Sequence, residues 1–187
     1  MSTQKTLLTA DQFYDFCCHN DGRYELVRGE VIELAPTNDQ HGEISSNIDT
    51  AFNNYSRRRG MGRTRVETGY RLEQDPDTVR GPDVSFMLLP RGAGVTLTGR
   101  FVPNAPDIAV ELVSPSNTIA EIERKVQEYL AAGSQRVWVV YPATPSTIRR
   151  VIIHRPDGTA TTYTGDDVIT DEELLPGFSL PLSEIFE

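Results

Sequence analysis

Residues 108 to 113 read Ile, Ala, Val, Glu, Leu, Val, an apolar run interrupted only at Glu111. A run of this kind predicts a central strand covered on both faces, and "PDVSFMLL" and "QRVWVVYP" predict two more. "TRVETGYRL" alternates instead, with Val66, Tyr70 and Leu72 on one side and Arg65, Glu67 and Arg71 on the other, and predicts one half-buried strand. "YELVRGEVIEL" places two strand-like runs either side of Arg28-Gly29 and predicts a hairpin. "TIRRVIIHR" and "DGTATTYT" extend the set of strands.

Helical periodicity accounts for much of the remainder. Thr9 and Gln12 stand at capping-box spacing ahead of a short helix over roughly 10–18. From Asp39 to Arg59 the apolar residues Ile44, Ile48, Ala51, Phe52 and Tyr55 fall on one helix face. "TIAEIERKVQEYLAAG" predicts an amphipathic helix that buries Ile119, Ile122, Val126, Tyr129 and Leu130 and stops at Gly133. The order predicts an α/β or α+β fold: a mixed β-sheet flanked by helices, with an N-terminal helix and hairpin, in which this helix is the crossover joining "DIAVELV" to "RVWVVY". At 187 residues the expectation is a single domain, 1–187.

Charge and cysteine usage narrow the function classes. Eighteen basic against twenty-seven acidic residues give a net charge of -9, which disfavours coating of nucleic acid or anionic membrane by bulk charge. The two cysteines, Cys17 and Cys18, are adjacent and badly placed for a structural disulfide, as expected of a cytoplasmic protein. No run approaches the roughly 20 apolar residues of a membrane span.

The candidate chemistry begins with Glu111, because a carboxylate is rarely left inside a fold. On a strand it shares a face with Ala109 and Val113. Asp83 opens the neighbouring apolar run, and two adjacent strands would bring both carboxylates to one rim, where oxygen ligands suit a hard cation such as Mg²⁺. Alternatively, Asp83 is a turn residue after Pro82 and Glu111 pairs with a buried arginine. Sixteen of the basic residues are Arg; the lysines are Lys5, near the start, and Lys125. Lys125 flanks the buried stripe of its helix, either aimed at the carboxylates or snorkelling to solvent.

Taken together, "GPDVSF", "PDIAVELVSPSN", the lysine of "ERKVQEYLAAG", "VWVVYP" and "LLPGFSLPLSEIF" resemble the Uma-two family of restriction endonucleases, a branch of the PD-(D/E)XK nuclease superfamily, over nearly the whole chain from "YELVRGEVIEL" onward. The resemblance implies a restriction-endonuclease-like core with Asp83 as the motif aspartate and Glu111 as the second acid. Their carboxylates and the backbone carbonyl of Leu112 would hold Mg²⁺, or Mn²⁺, at a scissile DNA phosphate. The motif lysine two positions after the glutamate is Val113 in this chain; the resemblance implies that Lys125 supplies it from the following helix. It also implies a site role for His41, which begins the long helix on the side of Ile44, Ser45 and Ile48, and a homodimer suited to cutting two strands.

Other motifs are weaker. Glu43 is a first-turn acid that either adds a carboxylate or complements the helix dipole. Arg57, Arg58, Arg59, Arg63 and Arg65 form a dense basic cluster, read either as a phosphate-contacting surface or as cations at a helix C-terminus. Ser114 and Ser116 lack a G-x-S-x-G elbow, no phosphate-binding glycine motif occurs, and His19 and His154 have no partner pattern that suggests zinc. Two classes of function remain: a Mg²⁺-dependent endonuclease acting on DNA, and a non-catalytic nuclease-like binding or assembly module. Convergence of Lys125 on Asp83 and Glu111 would favour the first.

Overall fold

The computed structural model describes residues 7–89, 99–144 and 148–187; Lys5, and Thr147 of the expected strand "TIRRVIIHR", lie outside them. The chain opens with helix α1 (Ala10–His19), the hairpin β1 (Tyr24–Val27) and β2 (Glu30–Glu33), and helix α2 (Asp39–Arg59). Strands β3 (Gly62–Val66), β4 (Tyr70–Glu73), β5 (Thr78–Arg80), β6 (Val84–Leu88), β7 (Val102–Pro103) and β8 (Ile108–Leu112) follow, then helix α3 (Ile119–Ala131). Strands β9 (Arg136–Tyr141), β10 (Arg150–His154), β11 (Ala160–Thr164), β12 (Val168–Asp171) and β13 (Leu175–Pro181) and helix α4 (Leu182–Phe186) complete it.

The central sheet has the order β11-β10-β9-β8-β6-β3. It is mixed: β8 and β9 run parallel, joined by α3 as a crossover, whereas β6 pairs antiparallel with β8. Alternation along β8 sends Ile108, Val110 and Leu112 to the α2 face and Ala109 to the α3 face. On the α2 face, Phe52 meets Phe86, Trp138 and Phe178 at ring-centroid distances of 5.3, 5.2 and 5.5 Å. Each fully buried ring of this size contributes roughly 1.5–3 kcal/mol, so this cluster anchors α2 against the sheet. Gly60, at φ 65°, closes α2 by returning its N–H to the Ser56 carbonyl.

A second sheet, of order β2-β1-β5-β4-β7, carries α1 on the cluster of Phe13, Leu26 and Val79. Its presence corrects the reading of "TRVETGYRL" as one strand. The chain breaks at Glu67, whose φ is 46°, so that β3 joins the central sheet and β4 the other. Val66 is accordingly 52% exposed and shares no buried face with Tyr70. Ile119 is also displaced from its expected place in the core, being 79% exposed as the first residue of α3, one turn ahead of the Ile122, Val126 and Tyr129 stripe that packs on β9. Among the described residues no helix is long and apolar enough to cross a membrane.

Candidate active site

Glu111 is the penultimate residue of β8, with its carboxylate on the α3 face, and the neighbouring strand supplies Asp83. Val84 pairs with Val110 in the antiparallel β6–β8 ladder, so the residue that precedes one lies beside the residue that follows the other. Asp83 extends the ladder through its side chain, its Oδ2 accepting the Leu112 N–H at 2.7 Å. That bond fixes one carboxylate against the backbone that carries the other.

Helix α3 delivers the third group. Thr118 and Glu121 form a capping box that pins the helix start, and Lys125 follows one turn beyond it. Its ammonium lies 2.8 Å from Glu111 Oε2, and the Tyr129 hydroxyl donates to Glu111 Oε1 at 2.8 Å. Lys125 is only 13% exposed along its side chain, which removes the snorkelling alternative. Helix α2 brings the fourth. Asn38 caps its N-terminus by accepting the His41 N–H, and His41 Nε2 reaches Asp83 Oδ1 at 3.2 Å.

Asp83, Glu111, Leu112, Lys125 and His41 thus line one pocket of about 780 Å³, with walls from the loops at 34–38 and 114–117 and from the end of β9 and the residues that follow it. Arg23 stands at its rim, 3.8 Å from Asp83 Oδ1 and 3.0 Å from Glu67. Ser114 and Ser116 face each other in the 114–117 loop, where the Ser114 hydroxyl donates to Asn117 and so shapes a wall. Glu43 is exposed. Arg57, Arg58, Arg59 and Arg63 are exposed as well, but Arg57 stands about 24 Å from His41 along α2, at 1.5 Å per residue, and none of the cluster lines the pocket. Arg65 is half-buried against the Met87 sulfur.

Glu25 was not singled out by the sequence. It is 1% exposed on β1, ion-paired to Lys125 Nζ at 3.2 Å and to Arg80 at 2.7 Å. Arg80 in turn holds Glu128 of α3 at 2.6 Å. The local signal was thin: "YELV" is short, and alternation alone assigns Glu25 to the face opposite Leu26, which an isolated hairpin would leave in water.

These contacts set the charge distribution. Burial pushes Glu111 up to about 7, and the negative charges of Asp83 and Glu25 add to that push against the pull of Lys125. Burial would likewise raise Glu25, but Lys125 and Arg80 outweigh it and hold Glu25 below the usual glutamate value. Lys125 is depressed by burial and raised more strongly by Glu111 and Glu25, so it remains an ammonium at neutral pH. Tyr129, raised by burial and by Glu111, remains a phenol and a donor. Among Glu25, Glu111, Lys125 and Tyr129, Glu111 is therefore the one brought up to about 7.

Among the described residues, no set of three or more His, Cys, Asp or Glu side chains is arranged to hold a metal ion. What the pocket offers is a pair of carboxylates with an adjacent ammonium.

Comparison with known proteins bears on the fold and the family. No curated protein matches the sequence. A solved structure described as "a putative nuclease belonging to DUF820", from Anabaena variabilis ATCC 29413, superposes with a TM-score of 0.77 over 96% of this chain and 97% of that one, at 19% identity, which establishes a common fold. The family model "Uma2: Putative restriction endonuclease" matches residues 10–183. With nearly the whole chain inside that match, and the mixed sheet and helices of a PD-(D/E)XK nuclease-like fold around the pocket, the chain belongs to the Uma2 family.

Proposed function

We propose that this chain is a metal-dependent endonuclease that hydrolyses phosphodiester bonds of DNA. The observation that carries the reading is the convergence of Lys125 on Glu111, beside Asp83, in one pocket. A buried carboxylate pair with a lysine held against it is costly to assemble, since each charge must be desolvated, and such clusters concentrate at functional sites.

The residues suit a hard divalent cation. Asp83 Oδ2 and both Glu111 oxygens each accept one strong hydrogen bond, which leaves further lone-pair directions. Mg²⁺ commonly binds through one or two carboxylates, with water and substrate phosphate completing its shell, so a two-carboxylate set is sufficient. Asp83, Glu111 and the Leu112 carbonyl would hold the ion, Mg²⁺ or Mn²⁺. When bound, it would supply Lewis acidity and neutralise phosphate charge.

The chain's own groups do the rest. Lys125 donates to a phosphate oxygen and stabilises the negative charge that accumulates during in-line attack. Asp83 and Glu111 fix the position of that charge relative to the sheet. His41, directed at Asp83 from the start of α2, orients the aspartate or contacts phosphate. Tyr129 holds Glu111 in one rotamer. The exposed arginines at the far end of α2 would contact backbone phosphates away from the cut, and a second copy of the chain would present a second pocket to the opposite strand.

The test is incubation of plasmid DNA with wild-type protein and Glu111→Gln in Mg²⁺ or Mn²⁺. Cleavage by wild type that needs the cation and disappears in the variant is expected. Equal cleavage by both would exclude Glu111 from the chemistry, and no cleavage by either would remove the reading and leave the second interpretation, a non-catalytic nuclease-like binding or assembly module, with which the net charge of -9 is compatible.

A further inference from the structure

We propose that Glu25 is a positioning residue for Lys125, so that strand β1 is part of the catalytic device although none of its residues lines the pocket. In its kinetic part this inference rests on the nuclease reading; in its structural part it does not.

Glu25 differs from Asp83 and Glu111 in lying outside the pocket, with its partners on the side of the protein interior. Its Oε1 accepts the Gly81 N–H at 3.2 Å and pairs with Lys125 at 3.2 Å, while its Oε2 accepts from Arg80 at 2.7 Å. Glu25 does not line the pocket, whereas Lys125 and Glu111 do. A carboxylate buried behind the site, with three partners already on it, is poorly suited to receive a cation or a substrate. It is well suited to hold an ammonium.

Lys125 needs such a hold because of where it is carried. A lysine on β8, two positions after Glu111, would share that residue's face and be steered by the sheet; Val113 stands there instead. Lys125 reaches the site from a helix, at the end of a flexible four-carbon stem. Glu111 alone would let the ammonium swing about a single contact. Glu25 adds a second point of attachment, on a different sheet, and Arg80 braces that point by bonding both Glu25 and Glu128 of α3. An ammonium has three N–H donors. Glu111 takes one as a hydrogen bond, and Glu25 holds the ammonium by an ion pair at 3.2 Å from the side away from the pocket.

The lysine content makes the test direct. With only Lys5 and Lys125 in the sequence, ¹⁵N-lysine labelling gives two ammonium signals, and Lys125→Arg identifies the one from the site. In the wild-type protein the Lys125 signal is expected to be resolved and slow to exchange with water. In Glu25→Gln it should broaden beyond detection while the far-ultraviolet circular dichroism is unchanged. The cleavage rate should fall on the order of 100-fold, the effect of misplacing a catalytic group by about 1 Å, with KM for DNA unchanged and part of the rate recovered in Glu25→Asp. A folded Glu25→Gln protein that keeps both the ammonium signal and the rate overturns the proposal. If Glu25→Gln does not fold, Glu25→Asp decides: loss of the signal in a folded protein supports positioning, and a wild-type signal and rate overturn it. If the wild-type chain cleaves no DNA, the nuclease reading fails, and the ammonium signal still determines whether Glu25 holds Lys125.

Discussion

Lys125, on a helix, lies 2.8 Å from Glu111, on the strand that precedes that helix, and the two are joined by a hydrogen-bonded ion pair at the floor of a pocket. The pair ties α3 to β8 at one point, so its removal has consequences for both stability and chemistry.

Lys125→Met is expected to leave Glu111 and Glu25 as buried carboxylates without their shared cation. Breaking a buried pair from one side costs about 3–5 kcal/mol, and the loss of a preorganised donor lowers rates roughly 10²–10³-fold. Thermal unfolding and plasmid cleavage measure the two effects separately. An unchanged melting temperature would contradict the burial of the pair.

Asp83→Asn keeps an oxygen that can accept the Leu112 N–H but removes the negative charge. The fold is expected to survive while cation-dependent cleavage falls at least about 100-fold. Titration with Mn²⁺, followed by calorimetry, should show binding heat in wild type and none in the variant; equal heats would exclude Asp83 from the cation site.

Tyr129→Phe leaves Glu111 Oε1 without its donor in a buried setting. An orphaned buried acceptor costs about 1–3 kcal/mol, so the midpoint of urea unfolding should fall without a change in slope. A midpoint matching the wild type would mean that water replaces the hydroxyl.

Stability should depend on pH through Glu111. Its folded value of about 7 lies above the ordinary 4.5, so the neutral form favours folding. This contribution is full below about pH 4.5 and is lost as pH rises through about 7, amounting to on the order of 3 kcal/mol. Glu25 works in the opposite sense and in a lower window, since its lowered value contributes stability above the ordinary glutamate range that is lost on acidification. The informative measurement is the difference between wild type and Glu111→Gln at pH 5.5 and pH 8 without divalent ions. Wild type is expected to lose ground to the variant as pH rises, and added Mg²⁺ should restore more stability at pH 8 than at pH 5.5. Parallel curves would contradict the assignment.

The arginine cluster is tested by salt. If Arg57, Arg58 and Arg59 neutralise DNA phosphates, replacing all three with Ala should flatten the slope of log affinity against log salt by about 0.9 for each phosphate left without its cation. An unchanged slope in a fluorescence-anisotropy titration would assign these residues to the helix terminus alone.

Much of this site could be read from particular residues. Glu111 was conspicuous because it interrupts an apolar run, Asp83 because it opens the adjacent one, and Lys125 because the chain otherwise uses Arg. The capping box at Thr9 and the crossover between β8 and β9 were equally local patterns and are present. What escaped depends on tertiary packing. Glu25 is buried because a second sheet and α3 close over it, and nothing within "YELV" encodes that cover. The separation of β3 from β4 depends on one positive φ at Glu67, a residue type for which no such turn is expected. Strands β12 and β13 carry mixed patterns because only Ile169, Leu175, Phe178 and Leu180 of them face the core.

The ion pairs around Lys125 also differ in the length of chain they close. Glu111 and Lys125 are 14 positions apart, within a single strand-to-helix unit, whereas Glu25 is on the order of a hundred positions away. Loop-closure entropy grows with the logarithm of that length, which makes the distant contact about 2 kcal/mol more costly to form from a disordered chain. The nearer pair is therefore expected to form with local structure, and the farther one only when the two sheets dock. A chain arrested before docking would hold the acid and the amine together without the tether behind them, so the complete cluster marks the finished fold.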